Sequence, residues 1–178
     1  MCVVIVLSVC DLDENFLRIN LTDKIGVDPK SGGTHRMTSD EFFFNNKKKF
    51  DLIYIDGLHT YEQTINDIKN SLNFLNEDGI ILLHDCLPKK IWNQVVPRIY
   101  GHWNGDVWKA IVECRVKENI DTYTCYADFG IGVIFNRKNK NPLKLDSQNF
   151  SKINFEDYFH KHKEFMNIIK YEDLIKIL

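Results

Sequence analysis

The chain has 178 residues, 44% of them hydrophobic and 27% charged, with a net charge of −2. That is enough for one domain with a full core and no disulfide staples, and the charge gives no long-range attraction to nucleic acid or to an anionic membrane. Five cysteines, an odd number without a C-x-x-C pair, suit reduced core thiols of a cytoplasmic protein rather than a disulfide framework.

Residues 2–9 form an apolar run that reads as a buried strand. It lacks the basic start and small-residue cleavage site of a signal peptide and is far too short to span a bilayer. With no helix ahead of this strand, the N-terminus is expected to be shortened relative to a complete domain. A second strand over 24–27 ends in Asp28-Pro29, and Asp40 and Glu41 open a short helix. A third strand over 51–55 runs into Asp56-Gly57-Leu58-His59. The spacing of Ile65, Ile68, Leu72 and Leu75 predicts an amphipathic helix over 61–75, with Thr60 as its N-cap. Asn76-Glu77-Asp78-Gly79 is turn chemistry before a fourth strand over 80–83, which runs into His84-Asp85.

Residues 88–100 and 106–117 read as helices. Strands over 122–126 and 130–135 are separated only by Ala127-Asp128-Phe129 and therefore form a hairpin. The tail over 155–178 reads as an amphipathic helix carrying Ile168, Ile169, Leu174, Ile175 and Leu178. Most strands are continuous apolar runs, the mark of a parallel sheet buried on both faces. The expected fold is a single α/β domain over 1–178: three layers, a mostly parallel sheet, and an antiparallel C-terminal hairpin strand.

In open sheets of this kind ligands bind at the carboxyl ends of the strands. Asp56, His59, His84 and Asp85 should converge there. Asp56 and Asp85 are oxygen donors for a hard divalent cation such as Mg²⁺. His59 and His84 offer imidazole, which suits Mn²⁺, Fe²⁺ or Zn²⁺ better, or a general base. Asp28 at the tip of the second strand has two acceptor oxygens at the spacing of ribose hydroxyls. Ordinary structural roles compete with each of these: a turn Asp before proline, a helix-capping Asp56, a satisfied half-buried His84, and dipole partners in Asp40 and Glu41. The turn after the first strand, residues 8–15, contains no glycine, which argues against a dinucleotide fingerprint.

With these residues in view the chain resembles the class I S-adenosylmethionine-dependent methyltransferases, in particular a small bacterial branch acting on glycans and natural products. The resemblance rests on Phe50-Asp51-Leu52-Ile53-Tyr54-Ile55-Asp56-Gly57-Leu58-His59, Glu77-Asp78-Gly79-Ile80-Ile81-Leu82-Leu83-His84-Asp85, Ile25-Gly26-Val27-Asp28-Pro29 and Asp128-Phe129-Gly130-Ile131-Gly132-Val133-Ile134. It implies a Rossmann-like methyltransferase sheet and methyl transfer to a hydroxyl of a small molecule or glycan. It places Asp28, Ser8, Asp40 and Asp56 at the cofactor, Asp56, Asp85 and His84 at a metal, and His59, His84 and Asp56 in catalysis. Where catechol-type relatives carry Asn after the second Asp, this chain has Cys86. Related enzymes also place glycine in the first turn. That departure raises a non-catalytic domain of the same fold as an alternative, and a metal-dependent hydrolase is a third. No nucleic-acid or membrane partner is expected, and a homo-oligomer built through the tail is left open.

Overall fold

The computed structural model describes residues 4–8, 13–147 and 149–178. Cys2, Cys10 and most of the glycine-free first turn, residues 9–12, lie outside the described residues. In chain order the elements are β1 (Val4–Ser8), α1 (Asp13–Arg18), β2 (Lys24–Val27), α2 (Ser39–Asn45), β3 (Phe50–Asp56), α3 (Tyr61–Asn73), β4 (Leu75–Leu83), α4 (Ile91–Gln94), α5 (Trp108–Val116), β5 (Asp121–Cys125), β6 (Ile131–Phe135), α6 (Phe155–Met166), β7 (Ile168–Ile169) and α7 (Tyr171–Leu174). They build one sheet in the order β2-β1-β3-β4-β6-β5-β7. β1 pairs in parallel with β2 and β3, and β3 with β4, whereas β6 is antiparallel to both β4 and β5. The expected mixed sheet is present, with the hairpin β5–β6 closing a parallel half.

Alternation along the strands splits the core into two clusters. Ile53, Ile55, Ile81, Leu83 and Ile134 face a layer built from α3, α5 and α6, packing with Ile65, Ile68, Trp108, Ile111 and Phe165. Burying each such side chain stabilises the fold by about 1.5–3 kcal/mol. On the opposite face, Val133, Phe135 and Cys125 pack against Leu174 of α7. Burial is complete on the first face only: Leu52, Tyr54, Ile80 and Leu82 are half-buried. The apolar runs therefore overstate how evenly the two faces are covered.

Three local expectations are corrected. Thr60 occupies the N-cap position of α3, yet its side chain caps nothing. The free N–H of Tyr61 instead donates to Asp106 Oδ1 at 2.7 Å, so the cap comes from a distant carboxylate. The segment 88–100 is helical only over Ile91–Gln94, because Pro97 pushes its preceding residue to extended backbone and has no N–H to give. The tail is not one helix. Asn167 ends α6 in the left-handed region at φ 46°, and the β-branched pair Ile168–Ile169 then pairs in parallel with β5.

The turn residues 76–79 also behave differently. They remain within β4 as a bulge, since Phe50 pairs with Leu75 while Leu52 pairs with Ile80. Gly79 is needed there, because a Cβ would lie 2.7 Å from Leu75 Cγ and 3.0 Å from Phe50 O.

Candidate active site

The sheet reverses its order of growth at β1, with β2 on one side and β3 on the other. The crevice beyond the carboxyl ends of these strands is the expected ligand edge. Two groups of side chains lie along it.

The first group surrounds the tip of β2. Asp28 is buried, and its Oδ1 accepts from the N–H groups of Lys30 (2.6 Å) and Ser31 (2.7 Å). Its Oδ2 is buried and has no hydrogen-bond partner among the described residues. Leaving a buried acceptor unsatisfied costs about 1–3 kcal/mol, so this atom is one that a ligand hydroxyl would satisfy. Beside it opens a cavity of about 260 Å³ lined by Val27, Lys30, Ser39, Leu58, Gln63 and Asp67. Asp40 also lines this cavity, and its Oδ1 accepts from Asn66 and Asn70 at 2.7 and 3.3 Å. Thr38 starts α2 with a reciprocal capping box to Glu41, which fixes where Ser39 and Asp40 stand. Asp67 was not singled out by sequence, where it is one polar residue among several on α3. It is buried, accepts from Ser39 Oγ (2.6 Å) and Gln63 Nε2 (3.0 Å), and burial pushes its carboxyl up to about 6.

The second group gathers at the tips of β3 and β4. The His84 N–H donates to Ile55 O at 3.0 Å, carrying the ladder one residue past β4 and bringing His84 alongside Asp56. His84 Nδ1 lies 3.2 Å from Asp56 Oδ1 and 3.4 Å from Asp85 Oδ2, and His84 Nε2 lies 3.1 Å from Asp128 Oδ2. His59 sits between the two acids on the other side, Nε2 at 3.3 Å from Asp56 Oδ1 and Nδ1 at 3.4 Å from Asp85 Oδ2. One ligand atom from each of Asp56, His59 and Asp85 lies within 4.8 Å of the other two. The four residues that sequence placed at this edge thus meet, each imidazole touching both carboxylates, and the candidate metal group takes His59 where the expected set had His84.

Opposite charges stabilise one another inside the cluster. Burial alone would disfavour an ionised Asp56, but hydrogen bonds from His59 and His84, and their positive charge, hold its carboxyl well below the usual range. Burial likewise opposes a charged His84, yet Asp56 and Asp85 overcome it and raise its pKa to about 11. His59 is raised for the same reason, with the Trp103 carbonyl adding to the effect. His84 therefore stands as an imidazolium wedged between carboxylates, and the same acids favour the charged form of His59.

Two acids are held by backbone strain. Asp85 has φ 60° and Asp128 φ 34°, both in the left-handed region, a conformation that costs a non-glycine residue roughly 1–2 kcal/mol. Past Asp85 the chain is pinned to the β5–β6 loop by Cys86 N–H to Gly130 O (3.0 Å) and Leu87 N–H to Phe129 O (2.7 Å). That pinning brings Asp128 onto His84. Cys86 itself turns inward: its thiol donates to Leu83 O at 3.2 Å, and burial pushes it well above the ordinary range.

Sequence offered Trp103 as part of an aromatic wall over the crevice but missed its neighbours Asn104, Gly105 and Asp106. The Trp103 ring stacks on His59 at 5.3 Å and its carbonyl lies 3.2 Å from His59 Nδ1. Asn104 is buried and donates from Nδ2 to Asp85 Oδ1 at 2.7 Å. Gly105, at φ 63°, passes so close that a Cβ would lie 1.7 Å from His59 O. Asp106 caps α3. The only local signal was a small glycine-containing loop before a helix, and nothing in it points to residues far away in sequence. The side chain of Ser8 lies outside the described residues; its backbone ends β1 opposite Asp56.

Residues 12–86 match the model of a methyltransferase domain family. The matched stretch ends one residue past Asp85. It takes in Asp28, Asp40, Asp56, His59 and His84 and stops short of Asn104 and Asp128. Among solved structures, the SAH-bound methyltransferase PaMTH1 of Podospora anserina is similar at 17% identity and a TM-score of 0.47, over 70% of this chain and 53% of that one. The chain thus spans about half the length of that structure. No curated protein matches. The sheet, with antiparallel β6 set between β4 and β5, has the order of a Rossmann-like methyltransferase fold.

Proposed function

We propose that this protein transfers a methyl group from S-adenosylmethionine to a hydroxyl oxygen of a small molecule or glycan, with a divalent cation held by Asp56, His59 and Asp85. The observation that carries this reading is the buried, unpartnered Oδ2 of Asp28. It lies on the same strand edge as the Asp–His cluster, in a chain whose residues 12–86 match a methyltransferase domain. A charged acceptor at that position suits a ribose hydroxyl, and the adjoining cavity, with Ser39, Gln63 and Asp67 on its wall, has the polar groups to orient a purine. The cofactor, when bound, supplies an electrophilic methyl on a sulfonium.

Two carboxylates and an imidazole form a mixed oxygen and nitrogen donor set, which favours Mn²⁺, Fe²⁺ or Zn²⁺ over Mg²⁺. Such an ion supplies a Lewis acid that polarises the acceptor hydroxyl. Among the protein's own groups, Asn104 and the left-handed turn at Asp85 fix the direction of the second carboxylate. Trp103 fixes the plane of His59. His84 is protonated while Asp56, Asp85 and Asp128 surround it uncompensated. It can accept a proton from the acceptor only when the charge of those acids is neutralised.

The test is a calorimetric titration of S-adenosylmethionine into wild type and Asp28→Ala. Losing a hydrogen bond to a charged group costs about 1.5–3 kcal/mol, so the variant should bind at least about tenfold more weakly. A folded wild-type protein that gives no saturable binding overturns the reading.

A further inference from the structure

The loop between the site and α5 carries a feature that methyl transfer does not use. From Cys86 to Gly105 the chain has no acid, while Lys89, Lys90 and Arg98 are all exposed. This stretch is locally cationic in a chain of net charge −2. It is also closed at its neck. Asn93 Nδ2 donates to His102 O at 2.8 Å, and the N–H groups of Asn104 and Gly105 both donate to Asn93 O, at 2.8 and 3.0 Å. Trp103 Nε1 donates to Val95 O at 2.7 Å inside the loop. The segment is thus an Ω-type loop held in one shape by its own hydrogen bonds.

Its tip is apolar and uncovered. Ile99 is 63% exposed and Tyr100 58%, with Ile91 at 57% beside them. Trp92 stacks on Tyr100 at 6.2 Å, and Lys90 Nζ lies 5.0 Å from the Trp92 ring. Exposed aliphatic side chains, an exposed aromatic pair with polar ends and three exposed cations on one loop are the chemistry that the acyl, interfacial and headgroup zones of an anionic bilayer accept.

We propose that the 91–100 loop docks on the surface of an anionic membrane and presents the active-site edge to it. Two other occupants fit less well. A second copy joined by a two-fold axis would set Lys89, Lys90 and Arg98 against their own mates, and like charges across an interface are unfavourable. A protein partner would have to match an acid-free stretch that carries three exposed cations, a pattern that an anionic lipid surface meets without any specific fit. Whole-chain charge conceals this patch, because acids elsewhere outweigh it. The inference is independent of the cofactor reading and is tested separately from it.

The experiment is vesicle flotation of the full chain at low and high salt. One set of vesicles contains equal parts phosphatidylcholine and phosphatidylglycerol; the other contains phosphatidylcholine alone. Binding is expected to the anionic vesicles only and to fall with salt. A Lys89→Gln/Lys90→Gln variant should partition about thirtyfold more weakly, from about a fivefold loss per basic residue. Ile99→Asp, at an exposed position that does not threaten folding, should abolish flotation with an unchanged circular dichroism spectrum. Absence of wild-type flotation at low salt overturns the proposal, as does equal binding by both variants. Concentration-dependent dimerisation lost in Ile99→Asp would assign the tip to a second copy and overturn it equally.

Discussion

At Asp85 three constraints meet on one carboxyl group: a left-handed backbone at φ 60°, the Asn104 amide on Oδ1 at 2.7 Å, and two imidazoles on Oδ2 at 3.4 Å. Asn104 therefore orients Asp85 rather than joining the cluster, and partners of this kind are worth about 10–100-fold in metal affinity. Asn104→Ala should weaken Mn²⁺ binding by about that factor, measured by paramagnetic resonance of free Mn²⁺. Unchanged affinity in a folded variant would show that Asp85 is held by its backbone alone. Asp67 offers a second residue-scale test, through pH. Its folded pKa of about 6 stands above the ordinary 3.8, so the folded state prefers the protonated form. Its stability contribution is intact below about pH 4, declines as pH rises to about 6, and above that is reduced by about 3 kcal/mol. Asp67→Asn should remove this slope and raise stability at pH 7, read by urea denaturation of both proteins across the range. The same pH slope in both would contradict it.

Among elements, the sequence displayed the strand tips plainly, because apolar runs ending in Asp28, Asp56 and His84-Asp85 carry their own punctuation. It displayed the connections poorly. The 88–100 segment has apolar residues at helical spacing, yet Pro97 and the neck at Asn93 make it a loop. The tail reads as a helix until Asn167, whose left-handed backbone and Nδ2 bond to Thr122 O at 3.0 Å turn the chain onto β5. Asn167→Ala should cost about 1–2 kcal/mol, from strain and the loss of its side-chain hydrogen bonds to Thr122 and Asn141. Asn167→Gly should cost less, since it keeps the turn. Thermal unfolding of the pair decides it, and equal losses would mean that the side-chain bonds alone matter. Beyond Trp103, the clamp formed by Asn104, Gly105 and Asp106 was invisible for a different reason. Its contacts to His59, Asp85 and α3 are long-range, and a one-dimensional pattern does not encode them. Gly105→Ala forces a Cβ into His59 O and should therefore lower both stability and Mn²⁺ affinity, whereas a purely local turn would lose stability alone.

Over the whole molecule, the sheet lays a cavity beside Asp28 at β2 and an Asp–His cluster at β3 and β4 along one edge. Among the described residues no helix is long and apolar enough to cross a membrane. Residues 12–86 match a methyltransferase domain, and the proposed function requires S-adenosylmethionine and the cation to bind as neighbours. The most direct measurement is proton magnetic resonance of the S-methyl signal of S-adenosylmethionine in the presence of the protein and substoichiometric Mn²⁺. The account predicts strong paramagnetic broadening that disappears in Asp85→Asn and on replacing Mn²⁺ with Mg²⁺. A sharp methyl signal with the wild-type protein and Mn²⁺ would contradict it.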